Sequence, residues 1–134
     1  EKAHKPVSVN ASSVWFNNPG YTADKAVDGY LTTRWATEDR FKESWIELDL
    51  GSNKVVSTLL IREEFSPRVV SFDIKVKEDS EASYRQVKSG TAIGDELIVT
   101  IPKTEARFVK LTTRIETHGV TLSEFQVYET NPYE

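Results

Sequence analysis

Cysteine is absent from the 134 residues. That removes disulfides, a thiolate metal centre and a cysteine nucleophile together, and it leaves the compartment unassigned. Histidine is almost absent, with only His4 near the start and His118 in a late loop. Two imidazoles so far apart are too little material for a histidine metal cluster or a Ser-His-Asp arrangement. No glycine-rich run leads into Lys and Ser/Thr between a strand and a helix, which excludes a phosphate cradle. No apolar stretch approaches the ~18 residues that a membrane helix needs, and EKAHKPV is not expected to be a signal peptide. A basic cluster is also missing. A net charge of −4 and a pI near 5.3 offer neither the electropositive face that nucleic acid requires nor a polybasic anchor for anionic lipid. Nucleic acid and membrane are therefore not expected partners.

What remains is the composition of an ordinary globular domain, with 38% hydrophobic and 28% charged residues. A chain of this length buries enough apolar surface to fold alone. One module over residues 1–134 is expected, with a core from 4 to 129, and the expected state is a monomer. The opening EKAHKPV reads as a cut inside a longer protein, and Thr130 to Glu134 as a linker stub. The module is thus expected to be a piece of a multimodular protein.

Apolar and polar residues alternate in short blocks: Trp45 to Leu50, Val55 to Ile61, Val70 to Val76, Tyr84 to Val87, Glu96 to Ile101, Ala106 to Thr112 and Leu122 to Tyr128. Each is rich in Val, Ile, Thr, Phe or Tyr and is bounded by turn residues such as Gly51-Ser52-Asn53 or Ser89-Gly90. Such a series predicts an all-β fold, an antiparallel sandwich or barrel. The single helical turn expected lies over Tyr21 to Val27, with Thr22 as its cap. Trp35 and Trp45 read as core plugs, and Arg34 as the partner of an acid inside the fold.

Paired acids occur at Glu38-Asp39, Glu63-Glu64 and Glu78-Asp79. Glycoside hydrolysis needs two carboxylates, but adjacent ones point to opposite faces of a strand or splay in a loop, so these are read as solvated charge. Asp28 heads the run DGYLTTRW. A carboxylate, a glycine turn and a threonine hydroxyl at that spacing suit an oxygen-ligated calcium ion. They suit equally a capped turn in which Asp28 and Thr33 bond the neighbouring backbone.

The ordered series KAVDGYLTTRWA, SWIELDLGS, VVSTLLIRE, ARFVKLTT and LSEFQVYE resembles the discoidin or coagulation-factor type C superfamily. Within it, the chain looks most like bacterial carbohydrate-binding modules of family thirty-two and fucose-binding lectins. The resemblance implies a five-on-three jelly-roll-like β-sandwich of the galactose-binding-domain kind. It also implies a structural Ca2+ ion held by the carbonyls of Lys25 and Tyr30, a carboxylate oxygen of Asp28, the carbonyl and hydroxyl of Thr33, the carbonyl of Ser123 and the carboxylate of Glu124. Many relatives have Asp where this chain has Tyr30, a change that costs little if the ligand there is a carbonyl.

The loop Arg62-Glu63-Glu64-Phe65-Ser66-Pro67-Arg68 combines two guanidinium forks with an aromatic ring, which is the chemistry a saccharide site needs. The bland alternative is that its arginines form surface ion pairs of little energetic value. The spacing of Arg62 and Arg68 looks like that of the lectins, whose additional histidine is missing. Glu38 and Phe41 stand in that loop instead, and His118 from another end loop is the candidate to replace it. The implied function is a non-catalytic, calcium-stabilised module that holds a terminal galactose- or fucose-type sugar and targets an attached glycoside hydrolase. A second reading is an inert accessory domain, for example of an α-fucosidase. A third, coagulation-factor-like membrane adhesion, conflicts with the acidic end loops. A secreted, periplasmic or cell-surface bacterial location is expected.

Overall fold

A computed structural model describes residues 2–133; Glu1, at the expected cut, and Glu134, the last residue of the expected linker stub, lie outside it. The elements are β1 (Ser8–Ala11), β2 (Trp35–Ala36), β3 (Glu43–Glu63), β4 (Val69–Lys77), β5 (Arg85–Gly90), β6 (Leu97–Ile115) and β7 (Thr121–Tyr128). All pairings among them are antiparallel. Among the described residues no helix is long and apolar enough to cross a membrane.

Two pairs of expected strands are fused. Trp45 to Leu50 and Val55 to Ile61 are halves of the 21-residue β3, and the blocks around Ile101 and Ala106 are halves of the 19-residue β6. The ladder between β3 and β6 continues past irregularities at Asp49/Lys54 and Val56/Thr58. Gly51, with φ of 87°, supplies the left-handed residue at the bend. The sheet therefore folds over on itself. Its first layer is β1, the early half of β3, the late half of β6, β4 and β5. Its second is β7, the late half of β3 and the early half of β6, with the two-residue β2 on its fringe. This is the expected β-sandwich.

Period-two patterning fills the space between the layers. Ile46, Leu48 and Leu50 point inward from β3, Phe72, Ile74 and Val76 from β4, and Val109 and Leu111 from β6. Trp35 is fully buried, and its indole N–H donates to the Ser13 carbonyl at 2.9 Å. Trp45 is not a core plug. It has the opposite parity to Ile46 and Leu48 and stands half-buried on the outer face, where the Lys110 ammonium lies 4.6 Å from its ring centre.

The expected helical turn is two short 3-10 turns, Pro19–Tyr21 and Ala23–Ala26. The cap of the first is Asn18, whose side chain accepts the Gly20 N–H at 2.8 Å. Thr22 makes no bond to the amides beyond it; its hydroxyl donates to the Asp24 carboxylate.

The assignment of opposite faces to the two tryptophans is checked by chemical denaturation. Trp35→Ala should cost about 3–5 kcal/mol, and Trp45→Ala less than half as much; equal losses would contradict it.

Candidate functional site

The loops at one end of the sandwich are stitched together by backbone hydrogen bonds. Glu64 N–H donates to the Thr121 carbonyl at 2.9 Å, and Thr37 N–H to the Val120 carbonyl at 3.0 Å. The Thr37 hydroxyl accepts the Val120 N–H at 3.0 Å, and the Lys42 ammonium donates to the carbonyls of Asp39 and Glu116. Gly119 sits at the junction: a Cβ there would lie 1.9 Å from the Thr37 carbonyl oxygen, so no side chain fits.

Glu63 organises the loop after β3. Its carboxylate is buried and accepts three backbone N–H groups, from Arg68 (2.9 Å), Val69 (3.1 Å) and Gly94 (3.1 Å). It is not the solvated charge expected from its position in an acidic pair. Charge-assisted bonds to a buried carboxylate are among the stronger ones in a protein. They hold the ends of a five-residue excursion whose apex, Phe65, has a left-handed φ of 56° and projects into solvent.

Beside this excursion lies a cleft of about 170 Å³, lined by Trp15, Tyr21, Arg34, Ala36, Thr37, Asp39, Phe65, Arg68 and Thr121. The Arg34 and Arg68 guanidiniums lie 4.9 and 5.3 Å from the Phe65 ring centre, and Arg34 also lies 5.1 Å from that of Tyr21. Trp15 meets Tyr21 edge-on at 5.5 Å. Arg68 Nη1 donates to the Gly119 carbonyl at 3.2 Å. Asp39 accepts the Gly119 N–H at 2.7 Å. The arrangement presents ring faces, two planar cationic forks and one carboxylate in one concave place. Such groups pack against apolar C–H faces and bond hydroxyls or acidic groups.

Of the residues expected to bind ligand, Phe65 and Arg68 line this cleft and Arg62 does not. Arg62 pairs with Glu96 at 2.5 Å. Glu38 is bonded to Arg40 at 3.0 Å, and Phe41 lies beneath the same guanidinium at 4.3 Å. His118 is exposed, with Nδ1 3.9 Å from an Asp39 carboxylate oxygen. Arg34, expected to pair with an acid, instead stacks on aromatic rings at the cleft. Trp15, Tyr21, Arg34 and Asp39 were not legible as site residues. The one available signal was Trp15-Phe16 directly before Asn-Asn-Pro-Gly, two large rings at a turn that cannot bury both.

The expected metal residues from the early loop do converge. Thr33 Oγ1 donates to Asp28 Oδ2 at 2.6 Å and also stands 3.3 Å from the Tyr30 carbonyl oxygen and 3.4 Å from that of Lys25. One hydroxyl proton cannot serve three acceptors. Asp28 Oδ1 accepts the Tyr30 N–H at 3.0 Å, as in a capped turn. Ser123 and Glu124 are buried on β7, and Glu124 Oε2 is buried with no hydrogen-bond partner. Burial holds the Glu124 carboxyl above the usual range; nearby Arg62 opposes this and the Asp28 charge adds to it. Among the described residues there is no group of three Asp, Glu or His side chains that could hold a metal, so any ion there would depend on carbonyl and hydroxyl oxygens as well.

Residues 8–125 match the F5/8 type C domain. The chain belongs to the F5/8 type C domain family. Over 69 residues, 52% of the chain, it is 36% identical to the polysaccharide lyase 8 family protein HylA of Enterococcus faecalis, and it spans only 5% of that protein's length. Among solved structures it resembles chitosan-binding module 2 of a Paenibacillus sp. IK-5 chitosanase/glucanase, solved in complex with chitotriose. The TM-score is 0.82 and the identity 30%, covering 94% of this chain and 98% of that one. It also shares its fold with part of a Ruminococcus gnavus GH29 fucosidase, at a TM-score of 0.86 and 24% identity, covering 93% of this chain and 25% of that one.

The role given to Glu63 is tested by substitution. Glu63→Ala leaves three amides without their acceptor and should destabilise the domain by about 2–3 kcal/mol. Hydrogen exchange should accelerate at the Arg68, Val69 and Gly94 amides before it does so in the rest of β4. Unchanged protection at those amides would refute the brace.

Proposed function

We propose that this domain is a non-catalytic carbohydrate-binding module that seats one terminal sugar unit, of the galactose or fucose type, in the cleft between Trp15, Tyr21, Arg34, Phe65 and Arg68. The observation that carries the reading is the placement of two guanidinium forks around an exposed ring on an excursion fixed by a buried carboxylate. The ring covers an apolar sugar face, the forks and Asp39 bond hydroxyl groups, and the rigid loop lowers the ordering cost of binding. The family and the chitotriose-bound neighbour at 30% identity support it. The cleft is small and open, so affinity for a single sugar is weak, and the domain's task is to keep an attached glycoside hydrolase or related enzyme near its polysaccharide outside a bacterial cell.

Calcium is the second part of the proposal. The carbonyls of Lys25 and Tyr30, the Thr33 hydroxyl and carbonyl, the carboxylates of Asp28 and Glu124, and the Ser123 carbonyl form a hard-oxygen donor set that matches this ion. A capped turn accounts for Asp28 but leaves the unpartnered oxygen of Glu124 unexplained. A bound cation would satisfy it, neutralise the two carboxylates and tie the early loop to β7. Its contribution is to stability, since it favours only the folded state.

Titration calorimetry with a panel of neutral and acidic monosaccharides tests the module. Arg68→Ala should weaken the binding of any sugar that responds by about tenfold or more, and a domain that binds no sugar would contradict the reading. For calcium, a chelator should lower the melting temperature of the wild type and leave that of Asp28→Ala unmoved. A wild type indifferent to the chelator would exclude the ion.

A further inference from the structure

The chain has seven arginines, and five of them are held by carboxylates: Arg40 by Glu38, Arg62 by Glu96, Arg85 by Glu81, Arg107 by Asp49 and Asp79, and Arg114 by Glu43 and Asp73. This is what a protein of net charge −4 is expected to do with its cations, since acids outnumber them. Arg34 and Arg68 are the exceptions. Among the described residues neither has a carboxylate within salt-bridge distance, and both stand against the one ring of Phe65. Asp39 lines the same cleft, yet its carboxylate is engaged by the Gly119 N–H and faces His118. Two guanidiniums against one committed carboxylate give the cleft a positive balance, opposite in sign to the chain as a whole.

From this we infer that the sugar seated in the cleft carries a carboxylate: the ligand is a uronic acid unit, its acid group placed between Arg34 and Arg68 and its ring against Phe65. The inference rests on the module reading, that a sugar occupies this cleft, and departs from the galactose- or fucose-type identity given there by assigning the sugar an acid group. A neutral hexose uses a guanidinium only as a hydroxyl donor, a task that Asn, Gln or Thr performs without concentrating charge. A carboxylate matches the fork geometry itself. The stacking of the two guanidiniums on Phe65 orients them without consuming their charge. Both stand against the one ring of Phe65 and both line the same cleft.

Matched pairs of sugars test it: galacturonate against galactose, glucuronate against glucose and mannuronate against mannose, titrated into the intact domain. At least one uronate should bind about tenfold more tightly than its neutral partner, with the advantage shrinking between about 20 and 500 mM salt. Arg34→Gln and Arg68→Gln, whose folding is checked by melting temperature, should each remove most of that advantage. Acetate alone should bind far more weakly than any uronate that responds. Equal or tighter binding of the neutral partners overturns the inference while leaving the module reading intact. Acetate binding as tightly as uronate also overturns it, and failure of every sugar overturns both readings. An acidic preference that survives both substitutions places the anion elsewhere and refutes the site.

Discussion

The buried carboxylate of Glu63 is the constraint on which the cleft depends. β3 ends at this residue, and its carboxylate accepts two amides from the far end of the excursion that follows and one from the turn before β6. Without that acceptor, three backbone donors would be buried unpaired, a cost the loop could escape only by opening. With it, Phe65 is held in a left-handed conformation that no packing contact of its own would enforce. The ring then serves as the surface on which Arg34 and Arg68 are arranged. Rigidity therefore originates in the sheet, and the exposed ring and forks inherit it.

The rest of the end is built on the same logic of backbone bonding. Gly119 donates to Asp39, accepts from Arg68 and admits the Thr37 carbonyl where any side chain would clash. Three loops far apart in sequence meet at one residue with no side chain. The opposite holds around the DGYLTTRW loop, where one Thr33 hydroxyl faces three acceptors, and on β7, where the buried Glu124 Oε2 lacks a partner. The Gly119 junction is thus closed by its own amides, whereas the Asp28–Thr33 turn gathers more acceptors than its one hydroxyl can serve.

The sandwich was legible because period two is a direct consequence of strand geometry. Ile46-Leu48-Leu50 and Phe72-Ile74-Val76 alternate as an inward face must. The same parity excludes Trp45 from the core, whatever its size. The fusion of four blocks into β3 and β6 was hidden, because a bulge or bend between hydrogen-bonded halves looks in sequence like a turn between separate strands. The cleft was half legible. Arg68 and Phe65 lie close together in the chain, so local spacing pointed to them. Arg34, Tyr21 and Trp15 reach the same place through tertiary folding, which no local pattern records. Glu63 was misread for a related reason: the three amides that make a buried carboxylate tolerable are supplied by the fold and not by its neighbours in sequence alone.

The position of a bound sugar decides whether the cleft is the binding site. Amide and indole chemical-shift perturbation during titration with galacturonate is the most direct test. The account predicts shifts concentrated at Phe65, Arg68, Arg34 and the Trp15 indole, with the outer-face Trp45 indole silent. Shifts centred on Trp45, or on the Arg62–Glu96 pair, with the cleft unmoved would contradict it.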